Sequence, residues 1–133
     1  MYELKAFIVE DSPVIQENLS AALEEMVPLK VMGCAEDEAG AVAWLSKPSN
    51  RCDVAVLDLF LRQGSGLGVL RWLMQTGTNC ERVVLTNYAN PDLRKHCLAL
   101  GASRVFDKSG EIDALIEYCQ SLAAARDAAN VAA

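Results

Sequence analysis

Basic residues are scarce in this chain: 12 Lys and Arg stand against 18 Asp and Glu, for a net charge of −6. No run of basic residues exceeds Arg94-Lys95. A nucleic-acid surface needs a basic face, so direct contact with DNA or RNA is not expected. No apolar run approaches the roughly 20 residues of a membrane span, and strand pattern begins within three residues of Met1, ahead of any room for a secretory leader. The expected compartment is cytoplasmic. Five cysteines, at 34, 52, 80, 97 and 119, are odd in number and without metal-type spacing, which excludes a disulfide framework and suits free, mostly buried thiols. His96 is the single histidine and falls on the polar side of a helix. Aromatics are few; Trp44 and Trp72 read as packing residues.

What the chain has is alternation. Its 133 residues suit one domain that buries roughly two-thirds of its unfolded surface. Five strand patterns, at residues 4–9, 29–35, 53–57, 82–85 and 104–106, alternate with five helical ones. The first helix opens at Asp11-Ser12-Pro13, where cap candidates precede a proline, and Pro28 ends it. Later helices are expected at 36–46, 65–75, from Asn90-Pro91 to a stop at Gly101, and from about Gly110 onward. Helical spacing points inward for Ile15, Leu19, Ala22, Leu23 and Met26; for Ala39, Val42 and Leu45; for Leu67, Leu70 and Met74; for Leu93, Cys97 and Leu100; and for Ile112, Leu115, Ile116, Cys119 and Leu122. Residues 1–125 are expected to form the folded unit. The alanine-rich tail 126–133 either prolongs the last helix or frays.

Five βα units with short connections predict an α/β fold: a doubly wound parallel sheet with helices on both faces. The flavodoxin-like (βα)5 arrangement, strand order 2-1-3-4-5, is favoured because it gathers scattered polar residues at one crevice. Strand one runs into Glu10-Asp11, strand three into Asp58, strand four into Thr86 and strand five into Lys108. Singly, each has an ordinary reading. Asp11 caps a helix, Asp58 is a loop acid, Thr86 is a strand residue and Lys108 is a solvated amine. Jointly they form a set with one chemistry. Three crowded carboxylates call for a divalent cation such as Mg²⁺ or Mn²⁺. Asp58 is then a nucleophile for a phosphoryl group, and Thr86 and Lys108 are partners for its oxygens. Gly64-Ser65-Gly66-Leu67-Gly68 lacks the Lys-Ser/Thr ending of a P-loop and reads as a flexible loop.

Over nearly its whole length, from Phe7-Ile8-Val9-Glu10-Asp11-Ser12-Pro13 through Val56-Leu57-Asp58-Leu59-Phe60-Leu61 to Asp107-Lys108-Ser109, the chain resembles the receiver domains of two-component response regulators. The resemblance implies that Asp58 is the phosphoacceptor. It makes Glu10, Asp11, Asp58 and the backbone carbonyl of Phe60 the metal ligands, with Thr86 the switch hydroxyl and Lys108 the phosphate-binding lysine. It implies a phosphoprotein that is not a conventional enzyme. A histidine kinase or histidine phosphotransfer protein would be the donor. The downstream partner would be a protein reading helix four, strand five and helix five, and a phosphorylation-dependent dimer is compatible with this.

Four positions depart from the family pattern. Val105 stands where an aromatic is usual, three residues before the lysine, and the neighbouring Phe106 is expected on the opposite strand face. Ser109 replaces a proline, so a trans peptide is expected there. Arg62 replaces another proline, and Asn87 a smaller residue. Phe60 and Tyr88 flank the expected path of an attacking water, which predicts slow hydrolysis of the acyl phosphate. Three alternatives stand beside this reading. One is a receiver fragment of a longer DNA-binding regulator. A small aspartyl-nucleophile phosphatase is another, although Phe60 occupies the place of its second acid. The third is a flavin carrier, which the acidic pair after strand one opposes.

Overall fold

Apolar side chains alternate between the two faces of every central strand, and that alternation builds the molecule. The computed structural model describes residues 2–132. Its elements run β1 (Leu4–Val9), α1 (Pro13–Met26), β2 (Leu29–Ala35), α2 (Glu38–Leu45), β3 (Val54–Leu57), α3 (Gly66–Thr76), β4 (Glu81–Thr86), α4 (Pro91–Ala99), β5 (Arg104–Asp107) and α5 (Ile112–Ala132). The five strands are parallel, in the order β2-β1-β3-β4-β5. This is the expected flavodoxin-like arrangement. Phe7, Val9, Ala55, Leu57, Val84 and Val105 face one way, against α2, α3 and α4. Ala6, Ile8, Val54, Val56, Leu85 and Phe106 face the other way, against α1 and α5. A sheet covered on both faces needs strands that are apolar throughout, and Val54–Leu57 is buried at all four positions.

Caps set the helix starts. Ser12 Oγ accepts from Ile15 N at 3.3 Å, Asp37 Oδ1 from Gly40 N at 2.7 Å, and Asn90 Oδ1 from Leu93 N at 2.9 Å. Ser65 caps α3 through Leu67 N at 3.0 Å. Each satisfies a backbone donor that the first helical turn leaves free. As expected, α4 ends at Gly101, whose φ of 98° lies in the left-handed region. The alanine-rich segment continues α5 as helix to Ala132.

Several inward assignments need correction. Ile15, Met26, Ala39 and Met74 are exposed, whereas Leu19 and Leu23, Ala41 and Leu45, and Val69, Leu70 and Leu73 carry the burial. An apolar helix such as α3 offers more than one stripe of the same period, and only contact with the sheet selects one. Ile15 and Met26 sit in the first and last turns of α1, where the helix has less sheet beneath it. Trp44 stacks on Phe7, ring centroids 4.2 Å apart, and Trp72 packs on the same core cluster, so both tryptophans are packing residues. His96 is exposed. Among the described residues no helix is long and apolar enough to cross a membrane.

Gly66 is held by close approach. Its amide donates to Leu59 O at 3.1 Å, and a Cβ there would lie 2.2 Å from Asp58 O. Gly66→Ala therefore pushes on the segment that carries Asp58. Chemical denaturation is expected to show a loss of ~1–3 kcal/mol, the range of overpacking. Gly110→Ala, where a Cβ meets nothing within 4 Å, is expected to stay within about 0.5 kcal/mol of the parent.

Candidate functional site

Backbone hydrogen bonds continue the sheet past its strands and so place the polar residues. Glu10 N donates to Ala35 O at 2.9 Å, Asp58 N to Val9 O at 2.9 Å, and Lys108 N to Thr86 O at 3.0 Å. Each residue just beyond a strand is thereby tied to the neighbouring strand. Glu10, Asp11 and Asp58 emerge side by side at the carboxyl ends of the parallel neighbours β1 and β3, where the order of winding reverses, and Lys108 reaches them from the end of β5.

Glu10, Asp11 and Asp58 each present a carboxylate oxygen, and all three lie within 4.8 Å of one another. Glu10 and Asp58 are buried, at 3% and 8% exposure. Lys108 Nζ bridges two of them, donating to Asp58 Oδ2 at 2.8 Å and to Glu10 Oε1. Glu10 Oε2 also accepts from Ser12 N at 3.0 Å, and Asp58 Oδ1 from Phe60 N at 3.2 Å. Burial pushes the Glu10 carboxyl up from its ordinary range, and the hydrogen bonds from Lys108 and Ser12 offset only part of that. Burial alone would lower the Lys108 ammonium, but its bonds to Asp58 and Glu10 outweigh it and leave the group above its ordinary value. A hard divalent cation takes oxygen donors and retains waters. Three adjacent carboxylates fit that requirement by donor chemistry.

Asp11 had two competing roles in the sequence, cap or site. Ser12 makes the cap, and Asp11 remains with the acids. Thr86 is fully buried, and its Oγ1 accepts from Tyr88 N at 3.4 Å, facing the loop that enters α4. Phe60 and Tyr88, in the loops after β3 and β4, are both more than half exposed and packed edge to face at 4.8 Å. Phe106 faces α5 and tilts against Tyr118 at 6.1 Å, while Val105 faces the opposite cluster. The two residues take opposite strand faces, as expected, and the Lys108–Ser109 peptide is trans.

Three supporting residues escaped the sequence reading. Gln16 Nε2 donates to Glu10 O and steadies the turn after β1. Glu38 reaches from α2 to accept from Ser65 N at 2.9 Å, anchoring the loop that follows Asp58. Arg94 joins three elements: Nη1 donates to Val105 O at 2.7 Å, Nε to Ala89 O at 3.2 Å, and Nη2 pairs with Glu111 Oε1 at 2.5 Å. Glu111 Oε1 also accepts from Asp107 N at 2.9 Å. Long polar side chains on helices carry no spacing signal that would reveal such partners.

Comparison with known proteins agrees with this geometry. The family model described as the response regulator receiver domain matches residues 6–120. The chain is 33% identical over 100 residues to the DNA-binding transcriptional activator DevR/DosR of Mycobacterium tuberculosis, covering 75% of this chain and 45% of that protein. It is 29% identical over 114 residues to the uncharacterized transcriptional regulatory protein YvfU of Bacillus subtilis, covering 86% and 56%. The chain thus spans about half the length of the curated relatives it matches. Among solved structures, the receiver domain of Francisella response regulator 1452 superposes with a TM-score of 0.82 at 21% identity, covering 93% of this chain and 99% of that one. The signal receiver domain of a putative Luxo repressor protein from Vibrio parahaemolyticus gives 0.83 at 19%, covering 98% of each. At such identities these structures speak to the fold alone. The match over residues 6–120 carries the assignment: the chain belongs to the response regulator receiver domain family.

Proposed function

We propose that this protein is a phosphorylation-driven signalling switch in which Asp58 accepts a phosphoryl group from a histidine kinase or a histidine phosphotransfer protein. The observation that carries the reading is a buried carboxylate, Asp58, set among Glu10 and Asp11 and bound by one ammonium. An Asp58 oxygen attacks phosphorus, the bond from phosphorus to the donor imidazole nitrogen breaks, and that nitrogen keeps the electron pair and takes up a proton. Glu10, Asp11, Asp58 and the Phe60 carbonyl would hold Mg²⁺ or Mn²⁺. When bound, the cation supplies charge neutralisation for the phosphoryl oxygens. Lys108 supplies a second positive charge and stays in reach through its long stem. Thr86 donates its hydroxyl to a phosphoryl oxygen, giving up its contact with Tyr88 N. The chain itself acts as phosphoacceptor and is not a conventional enzyme.

The output surface on this reading is α4, β5 and α5. Arg94 supports it, because the guanidinium links the loop after Thr86 to β5 and to the start of α5. The cytoplasm is the compartment that fits these donors. A second reading is favoured by length: with the match covering only 45% and 56% of the two relatives and one described as a DNA-binding activator, this chain is the receiver portion of such a regulator. In that case residues 1–125 are the switch and 126–133 begin the connection to the output domain. The coding sequence beyond Ala133 distinguishes the two.

Incubation with acetyl phosphate and Mg²⁺ is expected to add one phosphoryl group by intact mass. Chelation or Asp58→Asn is expected to abolish it, and uptake by Asp58→Asn at the wild-type rate would refute the assignment. The exposed aromatic pair Phe60 and Tyr88, which follow Asp58 and Thr86 by two residues each, predicts a long-lived acyl phosphate. Phe60→Ala is expected to shorten its lifetime about tenfold, equivalent to roughly 1.4 kcal/mol of barrier; an unchanged lifetime removes the shielding role. For the output surface, Arg94→Ala should still take up phosphoryl groups but lose the beryllofluoride-induced amide shifts in α4 and α5, read by NMR. Glu111 is held below its ordinary 4.5 by Arg94 first and then by the Asp107 amide. A depressed carboxyl stabilises the fold above that ordinary value and loses the effect as pH falls through the depressed one. Glu111→Gln is expected to flatten this part of the acid dependence of the melting temperature.

A further inference from the structure

The glycine-rich run Gly64-Ser65-Gly66-Leu67-Gly68, which is no P-loop, has a use at the start of α3. Ser65 caps that helix, so Gly68 falls at its third position. A capping box places Glu or Gln there, and that side chain reaches back to the backbone N–H of the cap residue. Gly68 has no side chain to do so. The Ser65 N–H nevertheless donates to a carboxylate, at 2.9 Å to Oε1 of Glu38, the first residue of α2. The acidic half of the box is therefore supplied by another helix.

Glycine at position 68 is what admits it. A Cβ there would overlap Cδ and both carboxylate oxygens of Glu38, and one at Gly64 would overlap Glu38 Cβ. The backbone of Glu38 adds a second tie, its N–H donating to Gln63 O at 3.3 Å. Ser65 is in turn bonded to the segment just past Asp58. It forms an antiparallel bridge with Phe60, and its Oγ donates to Leu59 O at 3.3 Å. Contacts thus run without a break from the Glu38 carboxylate through Ser65 to Phe60. An ordinary box closes on its own helix, whereas this one fastens α2 to the loop that carries Phe60.

We propose that Glu38 is a positioning residue for the metal site: by holding Ser65 it fixes the Phe60 carbonyl where it can serve as a ligand for Mg²⁺ or Mn²⁺. The inference rests on the reading of that carbonyl as a ligand. Glu38 is not one of the clustered carboxylates Glu10, Asp11 and Asp58, so it acts through orientation. Outer partners that orient a metal ligand govern roughly ten- to a hundredfold in affinity. A cavity of about 710 Å³ opens beside Glu38, Gly64 and Gly68, so a carboxylate displaced from Ser65 has room to turn outward.

The test titrates Mn²⁺ into the full chain by calorimetry and follows amide hydrogen exchange at Ser65 by NMR. Glu38→Ala is expected to weaken Mn²⁺ binding about tenfold and to speed exchange at Ser65. Glu38→Gln gives up the charge but keeps an oxygen for Ser65 N, and is expected to bind close to the parent. Glu38→Ala combined with Gly68→Glu returns the carboxylate to the capping-box position and is expected to restore both readouts. The proposal is overturned if Glu38→Ala binds Mn²⁺ like the parent, if Glu38→Gln falls as far as Glu38→Ala, or if relocating the carboxylate restores no affinity. In each of those cases the functional reading stands. If the parent chain takes up no Mn²⁺, the functional reading and this proposal fail together.

Discussion

Three carboxylates share one edge of this sheet, and a single ammonium stands among them. That imbalance organises the site. Like charges a few ångströms apart repel strongly where water is partly excluded, so the Glu10, Asp11 and Asp58 cluster persists only with positive charge at hand. Lys108 provides it from the end of β5, the edge strand, and must reach past β4 to bridge Asp58 and Glu10. A long flexible stem makes that possible, and the short Thr86 at the end of β4 leaves the path clear. One cation for three anions also leaves the site acidic enough to hold a divalent metal ion.

The rest of the fold holds these groups still. Strand-end hydrogen bonds fix Glu10, Asp58 and Lys108 relative to their neighbouring strands. Ser12 takes the capping duty that would otherwise draw Asp11 away. Glu38 and Gly66 fasten the loop after Asp58 from two sides, one by a hydrogen bond and one by close backbone approach. Behind them lie two apolar clusters, one on each sheet face, whose burial supplies the stability that concentrated negative charge removes.

Away from the acids, the region around β5 is organised by a guanidinium. Val105 contributes its side chain to the core and its carbonyl to Arg94, and Phe106 belongs to the α5 face. A polar clamp of Arg94, Glu111 and Asp107 therefore connects α4, β5 and α5. Charge-assisted hydrogen bonds of this kind are directional, so the three elements share one geometry. Membership of the receiver family and the particular wiring of this surface are separate facts.

Much of this was legible in the chain as written. Two-sided apolar strands, capped helices and short connections determine a doubly wound sheet, because no other arrangement buries those faces. The residues at the strand ends mark the site, since strands of that fold deliver them to one crevice. Tertiary structure decided what local pattern leaves open. It chose which apolar stripe of α3 turns inward, because several share one period and only the sheet selects among them. It gave Ser12 the cap and left Asp11 to the acids, both being competent caps by type. It brought Arg94 to Glu111 across 17 positions. Contacts between residues so far apart depend on how strands and helices pack, and no spacing within the sequence encodes them.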